Sequence, residues 1–426
     1  MTDPRPILQL SPGFHATLTL PGSKSITNRA LLCAALAKGT STLTGVLFAD
    51  DTEAMLACLS ALGVEVTPDR EHSTVTVNGC DGRFPVSDAK LDARQSGTTS
   101  RFLLAASTLS NGVVTIDGDA QLRARPFDDG IAALEQVGVT IDSVGGSIPL
   151  RVGAKRPGTV DIRVSGAVSS QFLSGIMLAA PCWDSGAQIQ VAGELQSRPY
   201  VEMTCAVMRA FGADIQASEA MDRWIVAPGG YVATDYHIEP DASAASYFFA
   251  AAAVCGGTVR VERLGAESLQ GDLGFVEVLR EVGAEVEISS HWTEVRGGHQ
   301  LYGRRVDMSA ISDTAQTLAA IAPFFEGPTT IEGIGFIRRK ETDRIAAVVN
   351  ELRRCGIQAS AQPDGISITP GTPGPVVFDT YGDHRMAMSV AVLAAKAGGC
   401  AIADPTCVNK TFPEFWSIFD LLGVTS

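Results

Sequence analysis

Two glycine series run through the chain in step, and together they constrain its fold more than any single motif. In the first, an apolar, helix-like run ends in glycine and a short strand-like segment follows, six times over: Leu62-Gly63-Val64, Val137-Gly138-Val139, Phe211-Gly212-Ala213, Val282-Gly283-Ala284, Cys355-Gly356-Ile357 and Leu422-Gly423-Val424. The intervals are 75, 74, 71, 73 and 67 residues. The second series closes alanine-rich runs at Gly39, Gly112, Gly186, Gly256, Gly327 and Gly398, at intervals of 73, 74, 70, 71 and 71. Glycine supplies the left-handed residue on which helices stop, and a sustained period of this size marks an internal repeat. Each unit is expected to run strand, loop, alanine-rich helix, glycine, strand, loop, amphipathic helix, glycine and terminal strands, as in Ala16 to Leu20 followed by Ser25 to Lys38. Six βαβαββ-like units make an α/β protein, most simply two domains of three units. The boundary between the third and fourth units is expected between Gly229-Gly230 and Glu239-Pro240.

Composition narrows the class. A chain of 426 residues, 45% hydrophobic and only 19% charged, has ample core for two or three domains and is not a disordered polymer. With 33 Lys+Arg against 47 Asp+Glu the net charge is −14, which argues against nucleic acid or an anionic membrane as partner. Apolar runs such as Tyr247 to Cys255 fall short of the ~20 residues that span a bilayer. No basic-then-apolar leader precedes the turn at Ser11-Pro12-Gly13, so the cytoplasm is the expected compartment. Nine cysteines without a C-x-x-C pair read as small buried residues in a reducing environment. Six dispersed histidines form no cluster at metal-ligand spacing, so no bound metal is expected.

Residues with no packing role gather at two equivalent places in every unit. The loop opening the alanine-rich helix reads Ser23-Lys24-Ser25, Ser96-Gly97-Thr98, Ser169-Ser170-Gln171, Asp241-Ala242-Ser243, Ser312-Asp313-Thr314 and Gly382-Asp383-His384-Arg385. The loop opening the amphipathic helix reads Asp50-Asp51, Arg123-Ala124-Arg125, Ser197-Arg198-Pro199-Tyr200, Gln270-Gly271-Asp272, Arg338-Arg339-Lys340-Glu341 and Asn409-Lys410-Thr411. Helix N-termini offer unpaired N–H groups and a partial positive charge to anions. Capping alone accounts for Ser, Thr or Asp at such places, but not for cations, which oppose the helix dipole there. Of only seven lysines, Lys24, Lys340 and Lys410 lie in these loops, so a phosphate- and carboxylate-bearing ligand is expected. Gly22-Ser23-Lys24-Ser25 lacks the glycine spacing of a P-loop. No G-x-G-x-x-G dinucleotide fingerprint follows a strand either, so neither ATP nor NAD is indicated.

Among the cations stand two carboxylates, Asp313 and Glu341, with His384 on a third loop. Two acids in different surroundings can divide into a base and an acid. On the residues alone Asp313 reads equally as a helix cap, Glu341 also as a helix-start charge, and His384 as a structural or hydrogen-bonding group. No Ser/His/Asp order or reactive cysteine points to covalent catalysis.

At these residues the chain resembles the 5-enolpyruvylshikimate-3-phosphate synthase family. The matching stretches are Pro21-Gly22-Ser23-Lys24-Ser25-Ile26-Thr27-Asn28-Arg29-Ala30, Ser96-Gly97-Thr98 with Arg101, Arg125-Pro126, Ser169-Ser170-Gln171-Phe172 and Ser197-Arg198-Pro199-Tyr200. They continue with Asp241-Ala242-Ser243, Asp313-Thr314-Ala315, Arg339-Lys340-Glu341-Thr342-Asp343-Arg344, Asp383-His384-Arg385-Met386-Ala387-Met388 and Lys410-Thr411-Phe412-Pro413. Each is weak alone, but all occur in order across the six units.

The resemblance implies an inside-out α/β barrel of two similar domains, each of three βαβαββ repeats, with the active site in the cleft between them. It implies that residues 1–20 belong with 236–426 and that 21–235 form the other domain. It also implies transfer of the enolpyruvyl (carboxyvinyl) group of phosphoenolpyruvate to the 5-hydroxyl of shikimate 3-phosphate. Phosphate is released through a tetrahedral intermediate, as part of aromatic amino acid biosynthesis, without cofactor or metal and in a monomer. By the same resemblance Lys24, Ser25, Arg29, Ser169, Ser170, Gln171, Ser197, Asp313 and Lys340 hold shikimate 3-phosphate. Lys24, Gly97, Thr98, Arg125, Gln171, Arg344, His384, Arg385 and Lys410 hold phosphoenolpyruvate. Glu341 is then the proton donor to the methylene and Asp313 the base near the 5-hydroxyl, with Lys24 assisting proton traffic.

Three positions depart from the family pattern: Gln95 where Asn is common, Phe102 where Pro is common, and Phe336 where an Asn usually meets the shikimate ring. The sister enzyme that acts on UDP-N-acetylglucosamine uses a cysteine in the loop that here reads Gln121-Leu122-Arg123-Ala124-Arg125-Pro126, and no cysteine lies between Cys80 and Cys182. A non-catalytic anion binder on the same scaffold would not need both acids.

Overall fold

The computed structural model describes residues 3–158, 161–166 and 169–423. The chain divides into two compact units, Met1–Pro21 with Pro240–Ser426 and Gly22–Glu239, each with a hydrophobic core of its own. Among the described residues no helix is long and apolar enough to cross a membrane.

The repeat is legible as a sheet order. In the sheet of Ala89–Asp92, Val113–Asp117, Ile141–Val144 and Ser147–Gly153, the first strand pairs parallel with the second. The second pairs antiparallel with the fourth, and the third lies outside the fourth. A parallel pair needs a crossover connection, and the helix Gly97–Ala106 supplies it. The same order recurs in the sheets that begin at Asp161–Ser165 and at Arg305–Asp307. Strands such as Ala187–Ala192 (AQIQVA) alternate buried and exposed residues, as a sheet with one wet face requires.

Three sheets borrow strands from far along the chain. The sheet of Ala37–Thr44, Glu65–Asp69 and Thr74–Cys80 takes its parallel edge from Tyr231–Val232 and Tyr236–His237. The sheet of Thr258–Glu262, Glu285–Ile288 and Trp292–Arg296 takes its own from His15–Leu18, with Ala16 opposite Val259. The expected unit that joined Ala16–Leu20 to the following helix is therefore corrected. Strand pairing depends on an open parallel edge, and the repeat presents equivalent edges that periodicity cannot tell apart. In the last sheet Ala401–Ile402 is central: Val377–Phe378 pairs with it in parallel on one side, and Arg5–Pro6 pairs antiparallel on the other, in the fourth strand's place. Tyr236 and His237 pair with Leu43 and Thr44, so they lie with Gly22–Glu239 and not, as expected, with the later residues.

The alanine-rich helices form the centre of each unit. All fourteen residues of Ala242–Cys255 are buried, as a helix apolar on every side must be. Lys24–Leu36, Gly97–Ala106 and Ser170–Ala179 pack on one another in one unit, and Ala242–Cys255, Ala315–Ile321 and His384–Ala397 in the other. The amphipathic helices bury one stripe: Phe275–Val282 covers Phe275, Val276, Val278, Leu279 and Val282.

The glycine series behave differently from expectation at several points. Gly63, Gly138, Gly212, Gly283 and Gly356 have positive φ after the amphipathic helices, whereas Gly423 does not, and Val424 lies outside the described residues. In the second series only Gly256 and Gly398 directly cap a helix. The helix before Gly39 ends at Leu36, and Gly39 lies inside the strand Ala37–Thr44. Before Gly112, Gly186 and Gly327 the helix tightens into a 3₁₀ turn, a common way to satisfy terminal carbonyls.

Close helix packing in Gly22–Glu239 depends on Gly175, where a Cβ would lie 2.6 Å from the Arg101 carbonyl oxygen and 3.2 Å from Phe102 Cα. Helix propensity alone would favour alanine by about 1 kcal/mol, but a clash with backbone outweighs it. Gly175→Ala is expected to lose about 1–3 kcal/mol of stability, measured by denaturant titration. Gly374→Ala, whose Cβ would meet nothing closer than 3.7 Å, is expected to stay within about 0.5 kcal/mol of the parent.

Candidate functional site

Helices buried along their whole length can carry polar chemistry cheaply only at their ends. In Gly22–Glu239 the starts of Gly97–Ala106 and Ser170–Ala179 meet. Arg101 Nη1 donates to Gln171 Oε1 at 2.7 Å, and Gln171 Nε2 donates to Thr98 Oγ1 at 3.2 Å. The guanidinium of Arg101 lies 5.4 and 5.1 Å from the ring centres of Phe127 and Phe172. Gly97 sits where these groups converge: a Cβ there would lie 2.9 Å from Arg125 Nη1, 3.1 Å from Arg101 Nη1 and 3.7 Å from Gln171 Oε1. Any side chain would fill that space, so glycine keeps the backbone accessible beside two guanidinium groups. Ser169 caps its helix by accepting from the Gln171 N–H.

The third helix start carries Lys24 and Arg29. Lys24 Nζ lies 3.5 Å from the buried Asp51 carboxylate. Arg29 is 2% exposed and donates from Nε to Thr204 Oγ1, from Nη1 to the Ser25 carbonyl and from Nη2 to the Tyr200 carbonyl, at 2.8, 2.8 and 3.0 Å. Burial lowers its pKa to about 10, which leaves it charged at neutral pH. Its guanidinium stands 5.1 Å from the Phe102 ring centre, so this departure from the family pattern supports a cation. Ser197 precedes the helix Arg198–Ala210 with φ 55° and ψ 44°, and its side chain makes no capping bond to it. That left-handed conformation is uncommon for a residue with a Cβ and concentrates at ligand sites.

In Met1–Pro21 with Pro240–Ser426, one guanidinium organises the polar residues. Arg344, 2% exposed, donates from Nε to Asp383 Oδ2 at 2.8 Å, from Nη1 to Asp313 Oδ1 at 3.2 Å and from Nη2 to Glu341 Oε2 at 2.7 Å. Burial works against its charge, but Asp383, Glu341 and Asp313 outweigh burial and raise its pKa. Arg385 Nη2 donates to Asp313 Oδ2 at 2.6 Å, and its Nη1 lies 3.4 Å from the Tyr247 hydroxyl. Lys410 Nζ lies 3.9 Å from Glu341 Oε1. Three carboxylates thus face three cations at short range, and such a buried set is tolerable only while each member keeps its partners. Asp383, fully buried, also caps His384–Ala397 by accepting from the Arg385 N–H, and His384 Nδ1 stands 3.6 Å from it. Lys340 Nζ lies 5.8 Å from the Phe336 ring centre.

For Asp313 the structure excludes the helix-cap reading. It lies in the 3₁₀ turn Ser312–Thr314, and no side chain caps the helix Ala315–Ile321. Its carboxylate is spent on Arg344 and Arg385. The expectation of six equivalent anion-binding loops is corrected at the fourth repeat. There Gln270 accepts from the Ala242 N–H and donates to the Pro240 carbonyl, while Ser243 bonds Asp272, so the loops satisfy each other. Arg123 forms an exposed pair with Asp117, and Arg338 pairs with Asp343. Arg101, Asp51 and Asp383 stand in the loops and stretches read from the sequence but receive no role there, and Tyr247 is not singled out. Arg101 is signalled by its place one turn after Thr98 and Asp383 by preceding His384. Tyr247 is hidden in an apolar run.

The arrangement suits small, multiply anionic ligands, with acids beside cations able to exchange protons. The sequence profile of the family described as EPSP synthase (3-phosphoshikimate 1-carboxyvinyltransferase) matches residues 11–419. A 3-phosphoshikimate 1-carboxyvinyltransferase of Nostoc punctiforme is 44% identical over 406 residues, 95% of each chain. One of Herminiimonas arsenicoxydans is 41% identical over 425 residues, 97% of this chain and 96% of that one. The solved EPSP synthase of Acinetobacter baumannii superposes with a TM-score of 0.82 at 25% identity, covering 100% of this chain and 99% of that chain. With the profile spanning nearly the whole sequence, the repeat architecture shared with a solved member and three carboxylates held on one buried arginine, this chain belongs to the EPSP synthase family.

Proposed function

We infer that the chain transfers the enolpyruvyl group of phosphoenolpyruvate to the 5-hydroxyl of shikimate 3-phosphate, releasing phosphate, in the biosynthesis of chorismate and the aromatic amino acids. Family membership supports the reaction. The observation that carries the assignment of residues is Arg344 holding both Asp313 and Glu341, because the reaction needs two proton-transfer groups around one reacting carbon.

The chemistry fits these residues step by step. Protonation of the vinyl methylene by Glu341 turns it into a methyl group and makes the adjacent carbon electrophilic. The 5-hydroxyl oxygen bonds to that carbon as its proton passes to Asp313, which gives a tetrahedral intermediate. A methyl proton then returns to the Glu341 carboxylate and restores the double bond as phosphate leaves with its C–O electron pair, and the proton held by Asp313 passes on to the released phosphate. Both substrates are polyanions, so cations must offset their mutual repulsion. In this reading Lys24, Gly97, Thr98, Arg125, Gln171, Arg344, His384, Arg385 and Lys410 seat phosphoenolpyruvate. Lys24, Ser25, Arg29, Ser169, Ser170, Gln171, Ser197, Asp313 and Lys340 seat shikimate 3-phosphate. An anion that takes Arg344 and Lys410 releases Glu341 from its ion pairs and leaves it available to the methylene. As proposed, one chain acts as a monomer in the cytoplasm, and its nine free cysteines suit a reducing compartment.

Three outcomes check the reading. Purified protein mixed with shikimate 3-phosphate and phosphoenolpyruvate, without metal or nucleotide, should release phosphate; silence with that pair and turnover with UDP-N-acetylglucosamine would reverse the assignment. Glu341→Gln should lower kcat by about 100-fold or more while calorimetry still detects shikimate 3-phosphate; near-normal turnover would remove the proton-transfer role. Cys80 and Cys407 are the two cysteines that are not fully buried, and partial burial still holds their thiols up at about 11 and about 12, so they stay protonated at working pH. Iodoacetamide at pH 8 should accordingly leave the initial rate unchanged, whereas rapid inactivation would point to a cysteine mechanism.

A further inference from the structure

We propose that Glu351 and Tyr381 are positioning residues for the reaction, a buried brace that holds the turn before Asp383, His384 and Arg385 in the shape the site requires. The proposal rests on the assignment of Arg344 and Arg385 to phosphoenolpyruvate.

The segment that delivers Asp383 has an unfavourable backbone. Tyr381 has φ 55° and Gly382 φ 64°, two successive left-handed residues. Glycine accepts this freely, but for a residue with a Cβ the region costs roughly 1–2 kcal/mol. Local bonds account for part of the hold: Asp379 Oδ1 accepts from the Tyr381 N–H at 2.9 Å, and the Asp383 N–H donates to the Thr380 carbonyl at 2.9 Å. The rest comes from a carboxylate on another element. Glu351, 1% exposed, accepts the Tyr381 hydroxyl on Oε1 at 2.8 Å and the Asp379 N–H on Oε2 at 3.0 Å. Arg354 Nη1 donates to the same Oε2 at 2.6 Å, while its Nη2 donates to the Val377 carbonyl at 2.8 Å. Burial, followed by the Glu351 contact, pushes the Tyr381 hydroxyl up to about 12, so it remains a donor throughout the working pH range.

The placement of Glu351 distinguishes this from an ordinary turn anchor. It lies on the helix Arg344–Arg354, whose first residue holds Asp383, Asp313 and Glu341. Glu351 lies seven positions after Arg344, roughly 10 Å along a helix. One helix therefore grips both ends of the stretch from Val377 to Asp383. If the lower grip is lost, the left-handed turn can relax, and Asp383 and Arg385 shift against Arg344 and Asp313. Displacements of about 1 Å at such groups cost rate far more than stability.

Tyr381→Phe removes one oxygen atom, and Glu351→Gln removes the charge while keeping the shape. For each, kcat and the KM of both substrates are measured below the thermal midpoint, on protein shown to be folded by circular dichroism. The expected result is a fall in kcat of about tenfold, with KM rising more for phosphoenolpyruvate than for shikimate 3-phosphate. The double variant should lose less than the product of the two single losses, because Tyr381 and Glu351 share a contact. If Glu351→Gln does not fold, Tyr381→Phe alone decides. Wild-type kcat and KM in Tyr381→Phe, whether or not its thermal midpoint drops, would overturn the brace and leave the reaction standing. Absence of turnover in the parent protein would overturn the reaction and this proposal with it.

Discussion

Everything in this chain follows from helices that have no wet side. Ala242–Cys255 is buried over its full length, and its counterparts nearly so. Such a helix can place polar groups only where its backbone ends, and its first turn also leaves amide N–H groups without helical partners. Sheets cover the helices, so their inner faces are apolar and their outer faces wet. Polar side chains that need partners inside the molecule are thereby driven to the helix starts. The repeat builds a scaffold, and the scaffold leaves few places where chemistry can be located.

The acidic chain meets the needs of anionic substrates by distribution. Net charge −14 would repel a phosphorylated ligand if it were spread evenly. Instead Arg344, Arg385 and Lys410 are set against Asp313, Glu341 and Asp383 at salt-bridge distance, and Arg101 and Arg125 converge on Gly97. Buried ion sets of this kind contribute little net stability, because desolvation consumes the Coulombic gain. In the proposed reaction their value lies in pre-organisation: charges are held in place before the substrate arrives, and a ligand anion takes over cations that the carboxylates hold in its absence.

Much of the fold and part of the site could be read from residue order. The two glycine periods imply four strands and two helices per repeat, and the cations expected at helix starts are Lys24, Lys340 and Lys410; of these only Lys24 opens a helix, whereas Lys340 and Lys410 stand at the ends of 3₁₀ turns. Asp313 was ambiguous for a physical reason, since an acid at a helix start serves equally as cap or as catalyst. Only the structure removes the cap, since the carboxylate bonds Arg344 and Arg385 and no side chain caps the helix that follows. Gln270 and Asp272 looked like ligand-binding residues but bond to their own neighbours, because side-chain direction is not a property of residue type. Gly39 matched the period yet sits in a strand, because the preceding helix stops three residues earlier.

The sequence by itself determined the local grammar: six repeats of helix, strand and glycine, the burial of the alanine-rich runs, and the places where polar residues had to emerge. Those properties depend on neighbours a few residues apart, through propensity, period and capping. Tertiary structure alone decided which open edge each strand fills, so that His15–Leu18 serves the fourth repeat, Arg5–Pro6 the sixth and Tyr231–His237 the first. It alone joined Asp313, Glu341 and Asp383 on Arg344. Edges and ion pairs are satisfied by whatever group is close in space, and in a chain of near-identical repeats that closeness is set by packing, which no local pattern encodes.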